Sequence, residues 1–159
     1  MIEIKPIQTH QIEEAKQAIA TTCLEIFTGM VSEEQLKQYD PMLDLDSVQS
    51  HYFDNNGIFL VLLDNNRVVG TGAIRQFNEE ICELKRMWFF KEYRGRGLGK
   101  KMAQMLLDFA QKAGYKKVRL DTASQEKQFQ AIEFYKRLGF YFIERYNESL
   151  CTVFMEKEL

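Results

Sequence analysis

Arg94-Gly95-Arg96-Gly97-Leu98-Gly99-Lys100 decides how this chain of 159 residues is read. The run follows a segment of strand character and opens a stretch of helical periodicity. Three glycines at alternate positions remove side chains where a backbone must turn and come close to something. The unpaired amides of a helix start, together with the helix dipole, favour an anion. Basic residues stand between the glycines. Main-chain capture of phosphate oxygens is the expected use.

Around this loop, residues 85–101 hold seven cations, Lys85, Arg86, Lys91, Arg94, Arg96, Lys100 and Lys101, against one acid, Glu92. That local charge of +6 sits in a chain of net charge −2, so the remainder carries −8. The balance argues against a general nucleic-acid binder and for one polyanionic ligand at the basic loop. A solvated basic loop is the alternative. Apolar residues make up 45 %, which fits one domain over residues 1–159 with a sizeable core. Cys23, Cys82 and Cys151 are scattered and lack CxxC spacing, as buried thiols in a reducing compartment would be. Met1 leads straight into the alternating Ile2-Glu3-Ile4-Lys5, without a leader pattern. No apolar run approaches the ~20 residues of a membrane span. Cytoplasmic residence, with neither membrane nor nucleic-acid partners, is the expectation.

Periodicity supplies the elements. Strands are expected over 2–6, 57–63, 67–77, 81–90, 117–121, 140–146 and 151–158. Ile12, Ala15, Ile19, Cys23 and Ile26 recur at three or four and predict a helix over 11–27. Ser32-Glu33-Glu34-Gln35 reads as a capping box opening a second, shorter helix. Residues 40–56 are acidic and irregular, with a short helical turn around 47–51. The run 57–63 is apolar throughout, so it predicts a strand covered on both faces. Leu98, Met102, Met105, Leu106 and Phe109 stripe a helix that Gly114 ends; Ala131, Phe134, Tyr135 and Leu138 stripe another, stopped by Gly139. The order is written βααββββαβαββ, an α/β chain with a strongly twisted mixed sheet and helices on both faces.

The segment 81–89 breaks its own pattern. Leu84 and Met87 are apolar markers three apart, and Lys85 and Arg86 lie between them as adjacent charges. Both charges point outward only if the phase slips, which a β-bulge achieves. A bulge also splays the strand from its neighbour. The opening can then accept an extended, amide-bearing ligand as a false strand. A partly exposed strand with tolerated charges is the plainer alternative.

Taken together, these segments resemble the GNAT superfamily of acetyl-CoA-dependent N-acetyltransferases. Arg94-Gly95-Arg96-Gly97-Leu98-Gly99 is similar to its phosphate motif, and Glu83-Leu84-Lys85-Arg86-Met87-Trp88-Phe89 to its fourth strand. Ala131-Ile132-Glu133-Phe134-Tyr135-Lys136-Arg137-Leu138-Gly139-Phe140 resembles its Ala-x-x-Phe-Tyr-x-x-x-Gly-Phe signature. Rival glycine motifs do not fit. A Walker loop wants Ser or Thr after Gly-Lys, and Lys101 follows here; the Gly-x-Gly-x-x-Gly spacing of a dinucleotide fingerprint is missing. One departure stands at Gln128, where the family often has an Asn that touches the cofactor.

The resemblance implies acetyl transfer from acetyl-CoA, with no metal, to a primary amine by direct attack. The pyrophosphate would lie on the amides of Gly95 through Lys100, with Arg94 and Arg96 assisting and Leu98 opening the helix. Lys100 or Lys101 would meet the ribose phosphate, Met87, Trp88 and Phe89 the pantetheine arm, and Gln128 the cofactor's flank. Tyr135 is the expected acid for the departing thiolate and Glu83 the candidate base, directly or through water. Cys82, beside Glu83, reads as a buried structural thiol. By analogy residues 25–56 and 144–150 border the acceptor site. Their acids, Asp40, Asp44, Asp46, Asp54, Glu144 and Glu148, would suit a cationic amine. Homodimers are frequent in the family. A non-catalytic acyl-CoA sensor with the same fold is the alternative function.

Overall fold

The computed structural model describes residues 1–159. Its seven strands are β1 (Ile2–Pro6), β2 (Ile58–Asp64), β3 (Arg67–Gln76), β4 (Ile81–Phe89), β5 (Lys117–Thr122), β6 (Tyr141–Phe142) and β7 (Val153–Glu158). They form one sheet in the order β1-β2-β3-β4-β5-β7-β6. All neighbours pair antiparallel except β4 and β5. Helices α1 (Ile12–Phe27), α2 (Glu33–Tyr39), α3 (Leu43–Asp46) and α4 (Val48–His51) precede β2, α5 (Leu98–Lys112) follows β4, and α6 (Phe129–Arg137) follows β5.

β2 sets the layers. Leu60 and Leu62 join the core beneath α5 and α6, while Phe59, Val61 and Leu63 join the core beneath α1, α3 and α4. A strand apolar at every position thus feeds two cores, as its unbroken hydrophobic run requires. Asn65 and Asn66 take φ of 50° and 69°, the left-handed pair that closes a tight hairpin into β3. The capping box of α2 forms in full: Gln35 N donates to Ser32 Oγ at 3.1 Å, and Ser32 N donates to Gln35 Oε1 at 2.8 Å.

Two expectations need correction. The seven segments expected as strands are the seven found, and three of them, not four, separate the N-terminal helices from α5, so the order βααββββαβαββ counts one strand too many. Residues 40–56, read as irregular with one helical turn, coil into α3, α4 and a 3-10 turn at Phe53–Asn55. The strand expected over 140–146 shrinks to the two residues of β6. Its continuation curls around the Arg145 guanidinium, which donates to the carbonyls of Asn147, Ser149 and Cys151 and so replaces the ladder bonds.

Candidate active site

The phase slip in β4 is present. Thr71 pairs with Trp88, but Ala73 pairs with Lys85, so Arg86 and Met87 together oppose Gly72. Arg86 takes φ of 59°, and the Thr71 hydroxyl donates to its carbonyl at 2.6 Å. A Cβ on Gly72 would press into the sulfurs of Met87 and Met102, at 2.7 and 2.6 Å, so glycine makes room for the Met87 side chain. Pairing of β4 with β5 covers only Ile81 to Glu83. Beyond Glu83 the two parallel strands part, and the sheet opens.

On the α5–α6 side of this opening lies a cleft of 1070 Å³. Met87, Trp88, Phe89, Arg94, Gly95, Gly97, Gly99, Lys100 and Gln128 line it; Arg96, Leu98 and Lys101 do not. The glycines have different tasks. Gly95 and Gly97 hold φ of 72° and 78° with open space where a Cβ would stand, and Gly97 is the residue before α5. Gly99 lets the helix approach the Phe89 ring, which a Cβ would meet at 3.0 Å. This exposed loop at a helix start, with Lys100 beside it, is a setting that favours an anion. Arg94 donates to the Phe89 carbonyl at 2.9 Å and pairs with Glu25 at 2.5 Å. Arg96 stacks on the Tyr93 ring at 5.3 Å. Gln128 Oε1 accepts from Ala123 N at 2.6 Å and from the Thr122 hydroxyl, bracing the turn from β5 into α6.

Adjoining it lies a cavity of 520 Å³, walled by residues from 23–51 and 148–151 as well as β3, β4 and β5. Met87, Trp88, Gln128 and Tyr135 line both spaces. The Tyr135 side chain has a relative exposure of 8 %, and burial pushes its phenol well above the ordinary value. Arg86 dominates the cavity's charge. It donates to Asp40 at 2.5 and 2.9 Å and to Asp44 at 3.1 and 2.7 Å. Burial pushes Asp44 up, yet the hydrogen bonds and charge of Arg86, with the Tyr52 hydroxyl, hold its carboxyl below the usual range. The acids expected to attract a cationic amine are thus in part already paired: Asp40 and Asp44 with Arg86, and Asp46 with Lys16.

Glu83 is 4 % exposed and does not line the cavity. It accepts from the Tyr146 hydroxyl at 3.0 Å, with Arg75 and Lys85 at 3.9 and 4.0 Å. Cys82 is buried, and desolvation pushes its thiol up to about 12, as for a structural thiol. Sequence reasoning missed His51, Arg75 and Lys85, which all line the cavity. For Arg75 and Lys85 the signal was strand alternation; for His51, distant in sequence, there was none.

A glycine loop at a helix start, set beside a parallel strand pair that parts at a bulge, is the architecture of acyl-CoA-dependent transferases. Residues 18–140 match the Acetyltransferase (GNAT) family. The chain belongs to that family. It is similar to the uncharacterized N-acetyltransferase YjgM of Escherichia coli K12, 33 % identical over 119 residues that cover 73 % of this chain and 69 % of that one. Its fold resembles an acetyltransferase of Staphylococcus aureus MU50, with a TM-score of 0.87 at 22 % identity over 99 % of both chains. It also resembles the PaiA N-acetyltransferase of Thermoplasma acidophilum in complex with coenzyme A, with a TM-score of 0.81 at 19 % identity over 100 % of this chain and 99 % of that one. No helix is long and apolar enough to cross a membrane.

Proposed function

We propose that this chain moves the acetyl group of acetyl-CoA onto a primary amine by direct attack within a ternary complex. The observation that carries the reading is the meeting of two adjoining spaces at Met87, Trp88, Gln128 and Tyr135. Acetyl-CoA would supply an activated thioester carbonyl. The amides of Gly95 to Lys100 would hold its pyrophosphate, with Arg94 and Lys100 adding charge-assisted bonds. Arg96 would have to leave the Tyr93 ring to join them. The backbone of Met87 to Phe89 would hold the pantetheine arm. The Met87 amide, at the bulge, would face the charge that develops on the carbonyl oxygen, a contribution of about 3 kcal/mol for one such donor.

Two proton movements remain. A buried Tyr135 keeps its proton at neutral pH and so has one to give to the departing thiolate. An alkylammonium acceptor, with a pKa of ~10, must lose a proton first. Glu83 would take it through water, because its carboxylate lies behind the cavity wall. Three free thiols support residence in a reducing cytoplasm. Calorimetry with coenzyme A, followed by mass spectrometry of an amine library incubated with acetyl-CoA, tests the reading. Heat of binding and acetylated products are expected. Binding without any product would favour an acyl-CoA sensor, and absence of binding would remove both.

A further inference from the structure

The deep charged groups of the acceptor cavity are mostly hydrogen-bonded to one another, and two are held only by looser ion pairs. Arg86 is fully engaged by Asp40 and Asp44. Asp121 accepts from Asn147 at 2.8 Å and Ser149 at 2.9 Å, and Glu148 stands exposed at the mouth. Arg75 and Lys85 make no hydrogen bond inside the chain. Their nearest carboxylates are Glu83, at 3.9 and 4.0 Å, and, for Lys85, Asp121 at 3.8 Å. Arg75 sits opposite Glu83, and Lys85 opposite Ala73, so both cations rise from one face of the sheet as diagonal neighbours. Together they offer eight N–H donors that make no hydrogen bond within the chain.

His51 closes the same corner. It lines the cavity, and its Nε2 is buried with no hydrogen-bond partner. Burial and the positive charges of Arg75, Arg86 and Lys85 hold its imidazole below the ordinary value, with Asp44 opposing them. Two cations whose N–H groups make no hydrogen bond thus stand beside an orphaned polar nitrogen, which marks a missing partner. Phe27, Leu36, Trp88 and Leu150 line other parts of the cavity and carry no charge.

We propose that Arg75, Lys85 and His51 form an anion subsite for a carboxylate on the amine acceptor, so that the substrate is an amino acid with an apolar side chain rather than a polyamine. The proposal rests on the transferase reading above. A volume of 520 Å³ suits a small molecule. The carboxylate would take donors from the guanidinium and the ammonium, and the apolar side chain would lie against the uncharged wall.

Initial rates with acetyl-CoA and three acceptors, leucine, leucinamide and spermidine, test it. Leucine should exceed leucinamide in kcat/KM by at least about tenfold, the worth of one charge-assisted hydrogen bond. Arg75→Gln and Lys85→Gln should each narrow that ratio. Equal or better turnover of leucinamide or spermidine would overturn the subsite and leave the transferase reading intact. If no amine is acetylated, the transferase reading falls, and thermal shift judges the subsite alone. There 4-methylpentanoate should raise the Tm and 4-methylpentanamide should not; no difference between them overturns it.

Discussion

Replacing Arg86 by Met removes a charge and keeps most of the side chain's volume. The arginine is 12 % exposed in its side chain and makes four hydrogen bonds to two carboxylates. Removing one partner of a buried ion cluster costs about 3–5 kcal/mol, because the remaining charges stay desolvated. Asp44 is 11 % exposed and carries that penalty, whereas Asp40 at 35 % retains water, so the lower end applies. About 3 kcal/mol in a chain of this size lowers the Tm by roughly 6–12 °C. Removing all three charges together, as Asp40→Asn, Asp44→Asn and Arg86→Met, should recover most of the loss.

The pH dependence separates charge from packing. In the parent protein the Asp44 carboxyl is held below its ordinary value of 3.8. A depressed carboxyl contributes stability above its unfolded pKa and loses it as pH falls through the folded one. Without Arg86 the sign reverses: burial alone raises Asp44, so the variant is penalised at neutral pH and regains stability as pH falls through the raised value. Thermal unfolding followed by circular dichroism at pH 7 and pH 4 should show the gap between parent and variant narrowing in acid. A gap of equal size at both pH values would mean lost packing, and no gap at all would mean that the four hydrogen bonds contribute nothing.

Tyr135→Phe should lower kcat by about 10²- to 10⁴-fold, the usual worth of a positioned acid, while the calorimetric Kd for coenzyme A stays put. An unchanged rate from pH 6 to 9 would retire the phenol as the acid. Gly97→Ala forces a side chain into φ of 78°, a strain of roughly 1–2 kcal/mol, and sets a methyl in the amide cradle. Its KM for acetyl-CoA should rise with kcat little altered. Glu25→Gln frees Arg94 from an exposed ion pair worth up to about 1 kcal/mol, so coenzyme A should bind up to about fivefold tighter by calorimetry. Weaker binding would mean that Glu25 holds Arg94 in its working position.

The sequence carries some of this site and not the rest, for physical reasons. The loop 94–100 was readable because positive φ at two positions and a close helix–ring contact at a third all select glycine. The bulge was readable because two adjacent charges in a half-buried strand conflict with period two. What stayed hidden depends on contacts across long stretches of chain. Arg86 reaches Asp40 and Asp44 over 46 and 42 residues, and no local pattern announces that pairing. The acids of 40–56 therefore read as a free acidic rim, although the fold pairs Asp40 and Asp44 with Arg86 and Asp46 with Lys16. Glu83 was chosen by its place before the bulge; alternation does put it on the face of Arg75 and Lys85, yet it is buried beneath their side chains and the Tyr146 hydroxyl and does not line the cavity.

Arg86 explains why these features belong together. A non-glycine residue at φ of 59° is strained by roughly 1–2 kcal/mol, and such strain persists only where neighbours over-determine it. Here the neighbours are identifiable. The Thr71 hydroxyl fixes the Arg86 carbonyl, and Gly72 leaves space for Met87. Two carboxylates from the segment between α2 and α4 hold the guanidinium. The phase slip sets Lys85 and Arg86 side by side on one face, and alternation then resumes with Met87 on the other. Arg86 ties down the wall of the 520 Å³ cavity, and Met87 turns to the face covered by α5, into the space that Gly72 leaves. The strand that parts from β5 is thus also the strand that organises the wall of the 520 Å³ cavity. One residue in an uncommon conformation couples both, so a change at position 86 that loosens the acceptor side must also loosen the opening in the sheet.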